Sequence, residues 1–172
     1  SWEPLRSRRF PRSQELLYYI NELLIENAIP QITVFLDSPM AANITKVFKK
    51  HRELYDEEMT ELVSNHESPF NFPGLKITGS TDESKAIKDI KGTVMIIAGS
   101  GMCTGGRVKH HLVNNITGPE NTIMFVGYQA VGTLGRRIVN GEKEVRILGQ
   151  DRQVKAKVVK VNGFSAHADK EE

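Results

Sequence analysis

Two glycine-rich segments carry the residue types in this sequence that are best suited to chemistry. The first, AGSGMCTGGR, spans residues 98–107, and the second, VGYQAVGTLGRR, spans residues 126–137. Each has a glycine directly after an apolar run and ends in Gly-Arg where a helix is expected to start. Backbone N–H groups at such a helix start, together with arginine guanidinium groups, favour an anion such as a phosphate. The pattern therefore predicts two phosphate-binding loops.

These loops do not match the common nucleotide-binding signatures. Thr104 stands where a dinucleotide-binding loop containing Gly99 and Gly101 would need its third glycine. The Gly-Lys-Ser or Gly-Lys-Thr step of a P-loop is absent from both segments. Glycines between a strand and a helix also serve as tight turns, so a purely structural role stays open beside phosphate binding.

A third candidate lies in GFSAHAD, residues 163–169. His167 and Asp169 stand two residues apart beside small residues, and such a pair can ligate a metal or move a proton. No HxH or HxxxH pair supplies further ligands, so a hydrogen-bonded histidine beside a helix-capping aspartate is the alternative. Cys103 suggests a nucleophile paired with His110 or His111 only weakly, because no known spacing supports it.

The composition predicts one soluble cytoplasmic domain without a membrane partner. Of the 172 residues, 39% are hydrophobic and 26% are charged, which excludes fibrous and disordered classes, and the net charge is only +2. No apolar run approaches the roughly 18–20 residues that span a bilayer. The basic residues 1–10 precede no apolar stretch of the kind found in secretory signals. The single cysteine, Cys103, fits a reducing compartment.

Alternating helical and strand patterns predict an open, mainly parallel α/β sheet that positions the two loops. A first helix is expected to be capped by Ser13 and closed by Pro30, and Asp37-Ser38-Pro39 should begin a second helix. Parallel strands would then bring both loops side by side at their carboxyl edge. Strands are predicted at 32–36, 75–77, 93–98, 122–126 and 154–161, those at 93–98 and 122–126 being buried on both faces, and further helices are predicted at 55–63 and 81–90.

Five motifs, taken together and in this order, resemble the β-CASP lobe of RNA-processing metallo-β-lactamases. This family includes the endonuclease of pre-mRNA 3′-end cleavage and the bacterial RNase J enzymes. The motifs are RSQELLYYINELL (12–24), FLDSPMA (35–41), GSGMCTGGR (99–107), GYQAVGTLGRR (127–137) and GFSAHAD (163–169). The resemblance implies a three-layer, Rossmann-like β-CASP domain over residues 12–162. Residues 1–11 would be an irregular lead-in, and residues 163–172 would start the return into a metallo-β-lactamase domain that this chain lacks.

The same resemblance implies that the lobe clamps single-stranded RNA over two zinc ions held by that metallo-β-lactamase domain of the parent protein. The zinc signature HxHxDH is absent from this chain, so no metal ligand is expected within it, and the isolated chain is not expected to be catalytic. His167 would be the catalytic histidine that assists proton transfer to the leaving oxygen. The residues implied to bind RNA phosphates are Gly101, Thr104, Gly105, Gly106, Arg107, Gly132, Thr133, Arg136 and Arg137.

The sequence leaves open the mode of RNA cleavage, the oligomeric state and the class of function. The family contains both endonucleases and 5′-exonucleases, and the motifs do not separate them; a homodimer is likewise left open. A different class of function, a non-catalytic module that binds a small ligand or nucleotide, remains the main alternative. A self-contained hydrolase that uses Cys103 or a mononuclear site at His167 is a third hypothesis.

Overall fold

The computed structural model describes residues 12–51 and 72–161. The predicted helix at 55–63, the catalytic candidate His167 and the flanking segments 1–11 and 162–172 lie outside these residues, so the predicted domain boundaries stay predictions. None of the described helices is long and apolar enough to cross a membrane.

Helices and strands alternate along the described residues. The first half contains α1 (Arg12–Ile25), β1 (Thr33–Asp37), α2 (Pro39–Lys50), β2 (Leu75–Ile77), α3 (Thr81–Ala86) and a 3₁₀ turn (Ile87–Asp89). The second half contains β3 (Val94–Ala98), α4 (Val108–Asn115), β4 (Thr122–Val126), α5 (Leu134–Val139), β5 (Glu144–Ile147), β6 (Gln150–Gln153) and β7 (Lys157–Val161).

The strands are mainly parallel and form open sheets, which confirms the predicted α/β class. Three parallel strands lie in the order β2-β1-β3, and β4 pairs in parallel with β7. The hairpin β5-β6 is antiparallel. The hydrogen-bonded ladders of the described residues thus fall into three sheets, and β3 and β4 belong to different ones.

Two hydrophobic clusters hold the described residues together. In the first, Leu17, Ile20 and Leu24 of α1 are buried against β1, as their three- and four-residue spacing predicts. Burying one such leucine or isoleucine stabilises the fold by about 1.5–3 kcal/mol. The second cluster lies beneath α4 and α5 and contains Cys103, Leu112, Ile116, Phe125, Ile138, Val145 and Ile147.

The helix start predicted at Ser38-Pro39 is confirmed. Ser38 is the N-cap, with an extended backbone at φ −145°, and Pro39 is the first residue of α2. The Ser38 hydroxyl accepts a hydrogen bond from the Ala41 N–H at 3.4 Å. This arrangement satisfies a donor that would otherwise be unpaired at the helix start.

Two predicted ends of the first helix are wrong. The helix begins at Arg12, so Ser13 lies inside it, and it ends at Ile25, well before Pro30. The end is set by Asn27, whose backbone adopts a left-handed conformation at φ +54°. The Ala28 N–H then turns back to the Leu23 carbonyl at 2.9 Å. Asparagine tolerates this conformation better than most residues, so it stops the helix without a proline.

Strand predictions in the second half also need correction. β4 is exposed at Thr122 and Met124, so it is not buried on both faces. The strand predicted from residue 154 begins at Lys157, and the β5-β6 hairpin was not predicted at all. Its turn uses Leu148 and Gly149, both at positive φ. Leucine rarely takes that conformation. The turn therefore could not be recognised from its sequence, which has neither the Asn-Gly nor the Asp-Gly signal of a hairpin.

Candidate nucleic-acid interface

The first glycine loop, residues 99–107, lies at a topological switch point of the parallel sheet. From β1 the chain passes to β2, which lies along one edge of β1, and then crosses to β3, which lies along the opposite edge of β1. Ligands of open α/β sheets bind in the crevice between strands whose connections diverge in this way, here β1 and β3. The two strands end level, since Asp37 pairs with Ala98. Consistent with this, a Cβ added to Gly99 would lie 3.5 Å from the Ser38 Oγ.

Ser100 organises this loop from within. Its hydroxyl accepts hydrogen bonds from the N–H groups of Thr104 at 3.2 Å and Gly105 at 3.3 Å. Its carbonyl accepts one from the Cys103 N–H at 3.0 Å. Since one side chain satisfies two backbone donors, the loop is held in a defined shape.

Cys103 points away from the loop surface into the second hydrophobic cluster. Its side chain is only 2% exposed, and burial raises the pKa of the thiol to about 11. A thiol is nucleophilic only as the thiolate. The structure therefore disfavours the hypothesis of a cysteine nucleophile.

The glycines of the first loop fall into two groups. Gly106 has φ +76°, and a Cβ there would lie 2.6 Å from the Gly99 carbonyl oxygen, so the fold itself requires glycine. Gly101 and Gly105 have ordinary φ values, and a Cβ on either would meet no atom within 4 Å. Among the described residues, none accepts a hydrogen bond from the N–H of Gly101 or Gly106. The loop thus presents open backbone to whatever approaches it.

The second loop, residues 127–133, leads into α5 through a threonine cap. The Thr133 hydroxyl accepts a hydrogen bond from the Arg136 N–H at 3.2 Å and donates one to the Ala130 carbonyl at 2.7 Å. Because α5 begins at Leu134, Gly135 and Arg136 lie inside the helix and do not mark its start. Gly132 is exposed with φ +83°, a left-handed conformation that favours glycine.

The structure brings the two loops into direct contact. The Gln129 side chain donates a hydrogen bond to the Gly101 carbonyl at 2.9 Å, and the Gly135 N–H donates one to the Met102 carbonyl at 3.1 Å. A Cβ on Gly135 would collide with the Gln129 Oε1, so any larger residue there would displace the side chain that bonds the two loops. Although the strands preceding the loops pair in different sheets, the loops still form one continuous surface.

Asp37, which sequence reasoning did not single out, lies at the floor of this surface. It ends β1 and is completely buried. The Ser84 hydroxyl donates to its Oδ2 at 2.5 Å, and the Thr78 hydroxyl donates to its Oδ1. The remaining two donors are the Nη1 of Arg107, 2.7 Å from Oδ1, and the Nε2 of His111, 2.5 Å from Oδ2.

These four hydrogen bonds decide the charge of Asp37. Burial acts to raise the pKa of its carboxyl, but the bonds from Ser84, Thr78, His111 and Arg107 outweigh burial and lower the pKa to about 2. The carboxylate is thus ionised at neutral pH and can only accept hydrogen bonds. Because the carboxylate can only accept the hydrogen bond from His111, the Nε2 of that imidazole must carry a proton.

Arg107 ends the first loop, where it is predicted to bind phosphate, but its guanidinium reaches beneath that loop to Asp37. Besides its contact with Asp37, its Nη2 donates to the Gly79 carbonyl at 3.4 Å. The side chain keeps 18% of its surface exposed. The guanidinium thus fastens the end of the first loop to β1 and to the segment after β2, and its contact with RNA stays a prediction.

The two arginines of α5 lie in different surroundings. Arg136 donates from Nη1 to the Gln129 carbonyl at 3.4 Å, which places its charge beside the second loop. Arg137 instead forms an exposed ion pair with Glu142, 2.7 Å from Nη2 to Oε2. That pairing raises the pKa of Arg137 and lowers the pKa of Glu142. Its charge is largely matched within the protein, whereas no carboxylate pairs with Arg136 among the described residues.

No metal site is found in the described part of the chain. Residues 12–51 and 72–161 contain no group of three or more His, Cys, Asp or Glu side chains that could hold a metal ion. The Asp37 cluster has one carboxylate and one imidazole, and the carboxylate already accepts hydrogen bonds from the imidazole, two hydroxyl groups and a guanidinium.

Comparison with known proteins identifies the family. A model described as the Beta-Casp domain matches residues 13–138. Ribonuclease TTHA0252 from Thermus thermophilus is 36% identical over 161 residues, which cover 94% of this chain and 37% of that protein. The RNase J-like protein of Methanocaldococcus jannaschii is 31% identical, over 92% of this chain and 35% of that protein. The transcription termination factor FttA of Methanosarcina mazei is 33% identical, over 92% and 26%.

The chain spans from about a quarter to just over a third of the length of these relatives. The family match covers both glycine loops and the Asp37 cluster. It also extends over most of the described residues, including β1 to β4. The chain therefore belongs to the Beta-Casp domain family.

Proposed function

We propose that this chain is the RNA-binding lobe of a ribonuclease and that its two loops bind the phosphate backbone of single-stranded RNA. The observation that carries this proposal is the contact between the loops, which forms one surface of open backbone at the switch point of the sheet. The similarity to proteins named as ribonucleases supports RNA as the ligand and phosphodiester hydrolysis as the reaction of the parent protein.

Individual residues have distinct roles in this proposal. Gly101 and Gly105 let the phosphate backbone approach closely, because neither has a side chain and the space where a Cβ would lie is open. The exposed Thr104 offers a hydroxyl group, which lies 3.2 Å from the Ser100 hydroxyl, and Arg136 offers a positive charge beside the second loop. Such contacts bind phosphates without reading bases, so we expect little sequence preference from the loops themselves.

The hydrolytic step relies, in this proposal, on residues outside the described part of the chain. The described residues do not fit a zinc site. We place the two zinc ions expected for the family, which would supply the chemistry of hydrolysis, on ligands in another domain of the parent protein. His167 would move a proton to the leaving oxygen. The chain alone should bind RNA without cleaving it, and its single free cysteine suits the cytoplasm as its compartment.

Fluorescence anisotropy with labelled single-stranded RNA tests this proposal. Affinity should rise with oligonucleotide length and fall with salt, because several phosphates release counterions on binding. A mononucleotide tests the alternative, a small-ligand module, since the switch point of this strand order also suits a single nucleotide. Saturable mononucleotide binding that is insensitive to salt would overturn the RNA proposal.

A pair of arginine variants makes the test specific to the site. Arg136→Ala should weaken RNA binding and make the salt dependence shallower, since one cation beside the second loop is lost. Arg146→Ala removes the same charge from the β5-β6 hairpin, where the guanidinium is exposed and 3.3 Å from Asp151. This control should bind RNA as the wild type does. Equal losses in the two variants would show that only overall charge matters.

A further inference from the structure

Three of the most exposed large apolar side chains in the described residues lie within the second loop or just after β1. Val131 is 82% exposed, Met40 is 73% exposed and Tyr128 is 53% exposed. Met40 follows the carboxyl end of β1, and Tyr128 and Val131 follow the carboxyl end of β4. We call these three residues the apolar rim.

A hydrogen bond holds one part of the apolar rim beside the first loop, and the start of α2 brings the other part close to it. Gln129 stands between Tyr128 and Val131 in sequence, and its side chain is bonded to the Gly101 carbonyl at 2.9 Å. Met40 lies in the first turn of α2, whose cap Ser38 approaches Gly99. Tyr128 and Val131 thus flank a residue that is bonded to Gly101, and Met40 lies two residues after the cap that approaches Gly99.

Folding alone gives no reason for these exposed side chains. Loops that follow strands usually carry small polar residues at exposed positions, because apolar surface left in water is unfavourable by about 25 cal/mol per Å². An apolar side chain exposed next to phosphate-binding groups suits a ligand that has both negative charges and flat apolar faces. Single-stranded RNA is such a ligand, since its bases are unpaired and available for stacking.

We propose that the apolar rim contacts the bases of the bound RNA, with Tyr128 stacking on one base while Met40 and Val131 pack against its neighbours. This inference rests on the proposed function. It adds a base-binding subsite to loops that bind only phosphates. Stacking accepts every base because each has an aromatic face, so affinity should follow stacking strength and be higher for oligoadenylate than for oligouridylate.

Tyr128→Ala in the full 172-residue chain tests the subsite. Losing one stacked base should weaken binding of oligoadenylate by about tenfold, within the range known for base–aromatic stacking. The salt dependence should stay unchanged because no phosphate contact is lost. Binding of an abasic ribose-phosphate oligonucleotide of the same length should not change, and Tyr128→Phe should retain the affinity for oligoadenylate.

Met124→Ala is the matched control, because Met124 is equally exposed, at 52%, but lies within β4. It should leave RNA binding unchanged. Equal losses on abasic and base-bearing RNA, or no loss with Tyr128→Ala, would overturn the subsite while leaving the proposed function intact. A wild-type chain that binds no RNA would overturn both. Loss of self-association in Tyr128→Ala, with RNA binding unchanged, would instead assign the apolar rim to contact between protein chains.

Discussion

Replacing Asp37 by asparagine removes the charge at the floor of the site while preserving the shape of the side chain. In the native protein the carboxylate is fully buried and accepts hydrogen bonds from two hydroxyl groups, a guanidinium and an imidazole. The amide of Asp37→Asn keeps one acceptor oxygen and turns N–H donors toward the other donors. Arg107 then loses its only carboxylate partner among the described residues, and the variant should be less stable.

The pKa of Asp37 gives the size of this effect. The pKa lies at about 2 in the folded protein against an ordinary value of 3.8. A tenfold change in an equilibrium constant corresponds to about 1.4 kcal/mol, so ionisation of Asp37 contributes about 2 kcal/mol of stability at neutral pH. Because the folded-state pKa is the lower one, this contribution is complete above the ordinary pKa and is lost as pH falls toward 2. The contribution should still be about 2 kcal/mol near pH 5 but only about 1 kcal/mol near pH 3.

Urea unfolding of the wild type and Asp37→Asn at these two pH values measures the contribution. The difference in the free energy of unfolding between them should shrink by about 1 kcal/mol between pH 5 and pH 3. Asp151→Asn is the control, because Asp151 is an exposed carboxylate paired with Arg146. Its effect should stay within about 0.5 kcal/mol at both values. An Asp37→Asn protein as stable as the wild type, or a difference that does not change with pH, would refute the charge assignment.

Three further predictions concern the first loop. Gly106→Ala should destabilise the fold by about 1–3 kcal/mol in thermal unfolding, because φ is +76° and the Gly99 carbonyl lies 2.6 Å from the added Cβ. Gly101→Ala should leave stability nearly unchanged but weaken RNA binding. If Gly101→Ala lowered stability while Gly106→Ala weakened only RNA binding, the structural role would belong to Gly101 and the binding role to Gly106. Cys103 should react with a thiol reagent only after unfolding, given a buried thiol with a pKa of about 11. Rapid labelling of the native protein would contradict its buried position.

Local signals predicted the parts of the fold that local geometry decides. Ser38-Pro39 combines a capping side chain with a residue preset for the first helical turn, and it starts a helix as expected. The glycine loops follow apolar strands and precede helices, so their positions could be predicted as well. The hairpin turn at Leu148-Gly149 could not, because leucine gives no hint of a positive φ.

The Asp37 cluster could not be predicted because it is assembled by the tertiary fold. Its four donors lie 41, 47, 70 and 74 residues away along the chain. No spacing rule links residues so far apart. One signal was present: an aspartate directly after the apolar run of β1 has to be buried and therefore needs partners. Arg107, predicted from its loop as a phosphate ligand, is one of those partners.

Amide chemical shifts followed during titration with single-stranded RNA test the central claim most directly. If the two contacting loops bind the phosphate backbone, the N–H signals of Gly101, Gly105 and Gly132 should shift together and saturate at one concentration. Signals of the β5-β6 hairpin should remain in place. Shifts confined to one loop, or shifts in the hairpin with both loops unchanged, would contradict the assignment of this surface as the RNA-binding site.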